Sequence, residues 1–294
     1  MSDTIFVTGA SGQLGGRIVD HLLARGVAPG RIIAGSRDPA KLSALAARGV
    51  ATRKADFDDE ASLTAAFAGA ETVLIISTDA LDGAGTRLRQ HQTAIKAAVA
   101  AGAKRLAYTS LPDPANSKVS FAPDHLQTEQ AIIATGLPYL IFRDNWYQEN
   151  LLMALPNAFK TGQWYTSAAG GKTSYVARDD IAAAIAAVLA NPPAADAIYT
   201  LTGSESFTNE QIAEMASATI GKPLTVVNVT DEQLAGGMKA AGLPDAIIPT
   251  LVSFDAAARA GNLGAITGDV EKLSGRKSKP LAEFIKDNAA ALAG

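Results

Sequence analysis

TIFVTGASGQLG, residues 4–15, runs from a short apolar stretch into glycines at positions 9, 12 and 15, and then into a helical pattern that continues from Gln13 to Arg25. The spacing is G-x-x-G-x-x-G between a predicted strand and a predicted helix. Each glycine has a physical task there: one permits the tight turn, one lets backbone N–H groups approach a pyrophosphate, and one lets the helix pack on the strand. The N-terminus of the helix then presents unpaired N–H groups and a favourable dipole to an anion. A lone glycine triplet is weak, but a strand before it, a helix after it and a βαβ series to follow are the context that dinucleotide binding requires. Gly9, Ser11, Gly12, Gln13, Leu14 and Gly15 are therefore assigned to a cofactor.

The same alternation continues outward. RIIAGS (31–36), VATRKAD (50–56), TVLIIS (72–77), RLAYTS (105–110) and PYLIFR (138–143) read as further strands. Helices are expected at roughly 39–48, 60–68 and 84–101, with another opening near Ala122. Strand and helix in regular succession mean βαβ units and a parallel sheet, and nearly all-apolar strands suit a sheet covered on both faces. The fold class is α/β, a Rossmann-type doubly wound parallel sheet with a small mixed C-terminal lobe. Past residue 150 the rhythm breaks. YVARDDIAAAIAAVLANPP reads as a short strand and a long helix, IYTLTG (198–203) as a strand, and Thr208 with Gln211 as a capping box. We expect residues 1–150, joined by 172–203, to form the cofactor domain, and residues 151–171 and 204–294 to form a smaller lobe over the sheet's C-terminal edge.

Composition narrows the function classes. The chain has 294 residues, 48% hydrophobic and 19% charged, with a net charge of −3 and no cysteine. No basic stripe recommends nucleic acid and no polybasic segment recommends a membrane surface. Disulfides, thiolate metal sites and a cysteine nucleophile are excluded. The most apolar stretch, IAAAIAAVLA at 181–190, is half a membrane span and reads as a buried helix. No signal core precedes the glycines, and the expected location is cytoplasmic. A homodimer is compatible with the sequence, which specifies no interface.

GSRDP, at the end of the second strand, selects the cofactor. An acid there binds the ribose hydroxyls of NAD, whereas an arginine binds the 2′-phosphate of NADP. Asp38 precedes Pro39, which is favoured at a first helical position, so Asp38 reads as an N-cap with its carboxylate occupied. Arg37 is left for the phosphate, and NADPH is the expected cofactor. Asp56 and Phe57 end the third strand beside the expected adenine, where the phenylalanine reads equally as core; Ser77, Thr78 and Thr109 end the fourth and fifth, as cofactor lining or as turn residues.

VTGASGQLG, the arginine after the second strand, AYTSL, DHLQTEQ and FRDNWYQEN together resemble the NmrA-like atypical short-chain dehydrogenase/reductases, notably the bacterial NADPH-dependent quinone oxidoreductases and triphenylmethane dye reductases. The likeness extends to GLPD (242–245) and PLAEFI (280–285). It implies a Rossmann domain with a small lobe, NADPH as reductant and a quinone-like acceptor in the cleft between them. It also implies that the residue after Arg143, usually asparagine in such reductases, holds nicotinamide or acceptor. Here it is Asp144, followed by Asn145.

Many short-chain dehydrogenases carry tyrosine and lysine four apart on the helix after the fifth strand, where lysine lowers the tyrosine's pKa for proton exchange. None of the six tyrosines here has that lysine. His125 and Glu129 stand roughly in its place, at i and i+4. In one reading His125 positions the acceptor or donates a proton, with Glu129 orienting it; in the other this is an ordinary acidic first helical turn. His21, on the outer face of the first helix, and His91, on a polar helical stretch, suggest no chemistry. Reducing a quinone gives a phenolate-like anion whose conjugate acid has a pKa of about 10, so a weak donor or water can finish the step. The missing pair thus argues against an alcohol dehydrogenase or a sugar-nucleotide epimerase and is tolerable for a quinone reductase. Catalysis would consist mainly of holding nicotinamide and acceptor face to face, and Asn145, Trp146 and Tyr147 read either as the acceptor's platform or as packing at the lobe junction. The alternative is a non-catalytic NADP(H)-binding redox sensor.

Overall fold

The computed structural model describes residues 3–82 and 84–294. The described residues form nine strands: β1 (Ile5–Val7), β2 (Ile32–Ser36), β3 (Ala51–Lys54), β4 (Thr72–Ile75), β5 (Arg105–Ser110), β6 (Tyr139–Asp144), β7 (Gln163–Thr166), β8 (Ala197–Leu201) and β9 (Thr225–Asn228). Seven of them make one sheet in the order β3-β2-β1-β4-β5-β6-β8, and every pairing in it is parallel. The order reverses between β1 and β4, which creates the crevice where doubly wound sheets bind ligands.

Alternate residues of each strand feed two cores. Ile5 and Val7 pack on one face with the helices Gln13–Ala24 and Arg178–Ala190. Phe6 packs on the other with Glu60–Phe67, Thr86–Ala100 and Ala122–Ala134, meeting Phe67 edge-to-face at 4.8 Å. All three β1 residues are at most 1% exposed, the reason that this strand is apolar throughout rather than alternating. IAAAIAAVLA lies in the buried Arg178–Ala190 helix. Among the described residues no helix is long and apolar enough to cross a membrane.

Two local expectations change. The helix expected over 39–48 is a 3-10 turn (Pro39–Leu42) followed by a single α-turn (Ser43–Ala46). The short strand expected ahead of Arg178 is reduced to isolated bridges, Tyr147 with Val176 and Thr173 with Phe207. The Thr208–Gln211 capping box forms, and a second joins Thr230 to Gln233. Toward the C-terminus, β7 pairs with β9, and Leu151, Leu155, Ile212, Phe284 and Ile285 build a separate cluster. A fourth cluster joins Leu111 and Val119 to Ala257, Ala258 and Leu263, with Phe121 and Phe254 packed against it.

Candidate functional site

The glycine loop leaves β1 at Gly9, whose φ of +59° lies in the left-handed region that favours glycine. Gly12 takes the N-cap position of the Gln13–Ala24 helix without a side-chain cap. A Cβ on Gly15 would stand 2.4 Å from the Gly9 carbonyl oxygen and 2.9 Å from the Ala10 Cα, so loop and helix touch backbone to backbone. The loop opens onto a cleft lined by Gly9, Ser11 and Gly12, by Ser36 and Arg37, by Asp56 and Phe57, and by Ser77, Thr78 and Asp79. These residues fit a dinucleotide: Gly15 leaves no room for a side chain against the loop backbone, and the Gln13–Ala24 helix starts at the cleft with no side-chain cap on its first N–H groups.

The end of β2 is arranged around Ser36. Its hydroxyl meets that of Ser11 at 2.8 Å and accepts from the Asp38 amide at 3.1 Å. The Asp38 carboxylate accepts from the Ala40 amide at 3.1 Å, the capping role read from the proline that follows it. Arg37 is exposed on the cleft wall. Gln13 and Leu14 do not line the cleft: the Gln13 side chain pairs with Arg17 and Leu14 is buried in the core. Thr109 is 2% exposed, and its hydroxyl accepts from the Ser77 amide at 2.9 Å, fastening the ends of β4 and β5 together.

Beyond this cleft lies a buried polar network. Arg87 Nη2 and His125 Nε2 are 3.0 Å apart, and His125 Nδ1 lies 2.7 Å from the Tyr108 hydroxyl. The Thr78 amide donates to His91 Nε2 at 3.0 Å, and His91 Nδ1 lies 3.0 Å from Thr128 Oγ1. The protons can be placed from the partners. A guanidinium and an amide can only donate, so both Nε2 atoms accept and both histidines carry hydrogen on Nδ1. Thr128 donates to the Asp124 carbonyl at 2.6 Å, which leaves its oxygen to accept from His91. Burial, assisted by the Arg87 charge, holds His91 down to about 3 and His125 well below the usual imidazole value. Both are neutral at physiological pH. Burial raises the Tyr108 phenol and lowers the Arg87 guanidinium.

Glu129 does not orient His125. It accepts Arg143 Nε at 3.0 Å and Nη2 at 2.7 Å, and the Ser110 hydroxyl at 2.6 Å. This pair locks the Ala122–Ala134 helix to the ends of β5 and β6. Asn145 is 3% exposed; its Nδ2 donates to the Ser174 and Leu263 carbonyls at 3.1 and 2.9 Å, while its Oδ1 is buried without a partner among the described residues. Trp146 and Tyr147 do not form one platform. Trp146 packs against Phe254 at 4.2 Å, whereas the Arg178 guanidinium covers the Tyr147 ring at 4.5 Å.

His91, read as an unremarkable helical histidine, is 0% exposed and central to the network. Arg87, Tyr108 and Thr128 were equally silent in the sequence. The available signal was Arg87 and His91 at i and i+4, which puts two cationic residue types on one helix face.

Asp144 ends β6 at 8% exposure, and neither carboxyl oxygen has a hydrogen-bond partner among the described residues. Burial pushes its pKa well above the carboxylate range; the Tyr147 hydroxyl opposes this weakly, without reaching satisfactory hydrogen-bond geometry. A folded pKa raised above the unfolded one means that the native state binds more protons in that interval, so stability is lost as pH rises. Asp144→Asn should therefore raise Tm at pH 8 and raise it less at pH 5. Equal gains at both values, followed by thermal scans across pH, would show that the carboxyl does not titrate on folding.

Comparison with known proteins agrees with this geometry. The model of the NmrA-like family matches residues 1–285. Quinone oxidoreductase 2 of Escherichia coli (strain K12) is 37% identical over 281 residues, covering 96% of this chain and 97% of that protein. The crystal structure of an NADPH-dependent quinone oxidoreductase from Escherichia coli complexed with NADPH superposes with a TM-score of 0.91 at 37% identity, covering 96% of this chain and 99% of that one. The triphenylmethane reductase of Citrobacter sp. complexed with NADP(H) gives 0.89 at 33% identity, over 96% and 99% of the two chains. With the Rossmann-type sheet, the glycine cradle and near-complete coverage in hand, the chain belongs to the NmrA-like family.

Proposed function

We propose that the protein is an NADPH-dependent reductase that delivers a hydride to a quinone or similar conjugated electrophile. The observation that carries this reading is the β2 terminus, where Asp38 is used as a cap and Arg37 is exposed on the wall of the glycine-loop cleft. When bound, NADPH supplies the hydride. Gly9 through Gly15 hold its pyrophosphate by backbone N–H groups, Arg37 its 2′-phosphate, and Asp56 and Phe57 its adenosine. Ser77, Thr78, Thr109 and Asp144 set the sheet edge along which it extends.

The acceptor side is read from the aromatic wall Phe121–Phe254–Trp146, in which Phe254 lies 6.1 Å from Phe121 and 4.2 Å from Trp146. A flat conjugated molecule suits such a wall. His125 and Asn145 act as positioning residues, His125 by holding Arg87 and Asn145 by tying the β6 end to Ser174 and Leu263. A small-molecule acceptor and a cytoplasmic setting go with this reading.

Arg37→Ala tests it. A charge-assisted bidentate phosphate contact is worth about 1.5–3 kcal/mol. The KM for NADPH should rise roughly 10- to 100-fold while that for NADH changes about twofold or less. Equal effects on the two cofactors would remove the NADP assignment.

A further inference from the structure

Arg87 is 7% exposed, yet no carboxylate oxygen among the described residues comes within 4.0 Å of its guanidinium. Its hydrogen bonds go to the Thr78 carbonyl and to neutral His125, its face lies 4.7 Å over the Phe121 ring, and its Nε has no partner among the described residues. Asp124 and Asp79 act on it only through space. A buried cation without an anion is costly, and arginine is seldom buried unpaired. Its neighbours show where it stands. Thr78 lines the dinucleotide cleft, and Phe121 begins the aromatic wall that runs through Phe254 to Trp146. The guanidinium lies at the junction of the two.

We propose that Arg87 is the counter-charge for the anion that the acceptor becomes on reduction. This rests on the reductase reading above. A quinone that takes up a hydride gains two electrons and one proton, and becomes a hydroquinone monoanion as the reduced nicotinamide is oxidised. Water then supplies the second proton. The neutral quinone gains little from Arg87, whereas the oxygen that becomes phenolate gains much, so the interaction favours the transition state over the ground state. Thr78 and His125 hold the guanidinium in place beforehand, which spares reorganisation during the reaction. The same arrangement explains why the site dispenses with a tyrosine–lysine acid: the product is stabilised as an anion.

The test is the ionisation of a bound product-like probe. The NADP⁺-saturated protein is titrated with 4-nitrophenol, which is yellow only as the phenolate, and the absorbance of the bound form is followed against pH. NADPH fluorescence titration confirms cofactor binding in each variant. In the wild type the bound phenol should ionise about 1–3 pH units below its free value, as an opposite charge within a few ångström dictates. Arg87→Gln should return it to the free value, and Arg87→Lys should retain most of the effect. A bound phenol that ionises at its free value in the wild type, no uptake of the phenolate at all, or an equal lowering in Arg87→Gln overturns the proposal. If Arg87→Gln does not fold, the wild-type titration with Arg87→Lys still decides. The two readings fail separately: absent quinone turnover removes the reductase, and an unshifted phenol removes the role of Arg87.

Discussion

Arg143→Met should lower the unfolding free energy by about 3–5 kcal/mol, the usual consequence of breaking a buried ion pair from one side, and Tm by roughly 10 °C. The partner left behind, Glu129, is 3% exposed. Three donors from two strands converge on its carboxylate: Arg143 Nε and Nη2 from β6 and the Ser110 hydroxyl from β5. Without Arg143 only the Ser110 hydrogen bond remains, and the carboxylate is desolvated with no compensating charge. The exposure of the Arg143 side chain, 25%, discounts little, because the cost falls on the buried partner. The double variant Arg143→Met/Glu129→Leu should recover most of the loss, since no buried charge is left unpaired and only the Ser110 hydroxyl loses its acceptor. Chemical denaturation of the single and double variants measures this. A single variant within about 1 kcal/mol of wild type would show that the pair does not fasten the helix to the sheet.

Gly15→Val should abolish practical use of the dinucleotide. The new Cβ would lie 2.4, 2.7 and 2.9 Å from Gly9 O, Gly9 C and Ala10 Cα, all backbone atoms that no side-chain rotation can relieve. The helix start must move away from the loop, and the amides proposed to hold the pyrophosphate move with it. Losing two charge-assisted contacts of about 1.5 kcal/mol each weakens binding roughly 100-fold. NADPH fluorescence titration reads this directly, with near-native circular dichroism showing that the sheet survives. Undiminished binding would mean that the cradle is not the pyrophosphate site.

The sheet was legible because its cues are local. Continuous apolar runs such as TVLIIS mark strands covered on both faces, and the glycine spacing marks the first crossover. Asp38-Pro39 announced a cap that forms as read, though four residues of 3-10 helix follow it instead of a long α-helix. What stayed hidden is what tertiary structure assembles. Arg87 and His125 are 38 positions apart, and Asn145 reaches a carbonyl 118 positions away. Helical spacing suggested that Glu129 serves His125. A bidentate arginine from the next strand claims it instead, because a buried carboxylate is satisfied by a fork of donors rather than by a neutral imidazole. Trp146 and Tyr147 are adjacent in sequence, but extended backbone at Tyr147 sends successive side chains to opposite faces.

The most direct measurement is the oxidation of NADPH and of NADH by the purified protein, with and without a panel of benzoquinones and naphthoquinones. The account predicts turnover that requires the quinone and prefers NADPH. Tight dinucleotide binding with no turnover on any acceptor would contradict it.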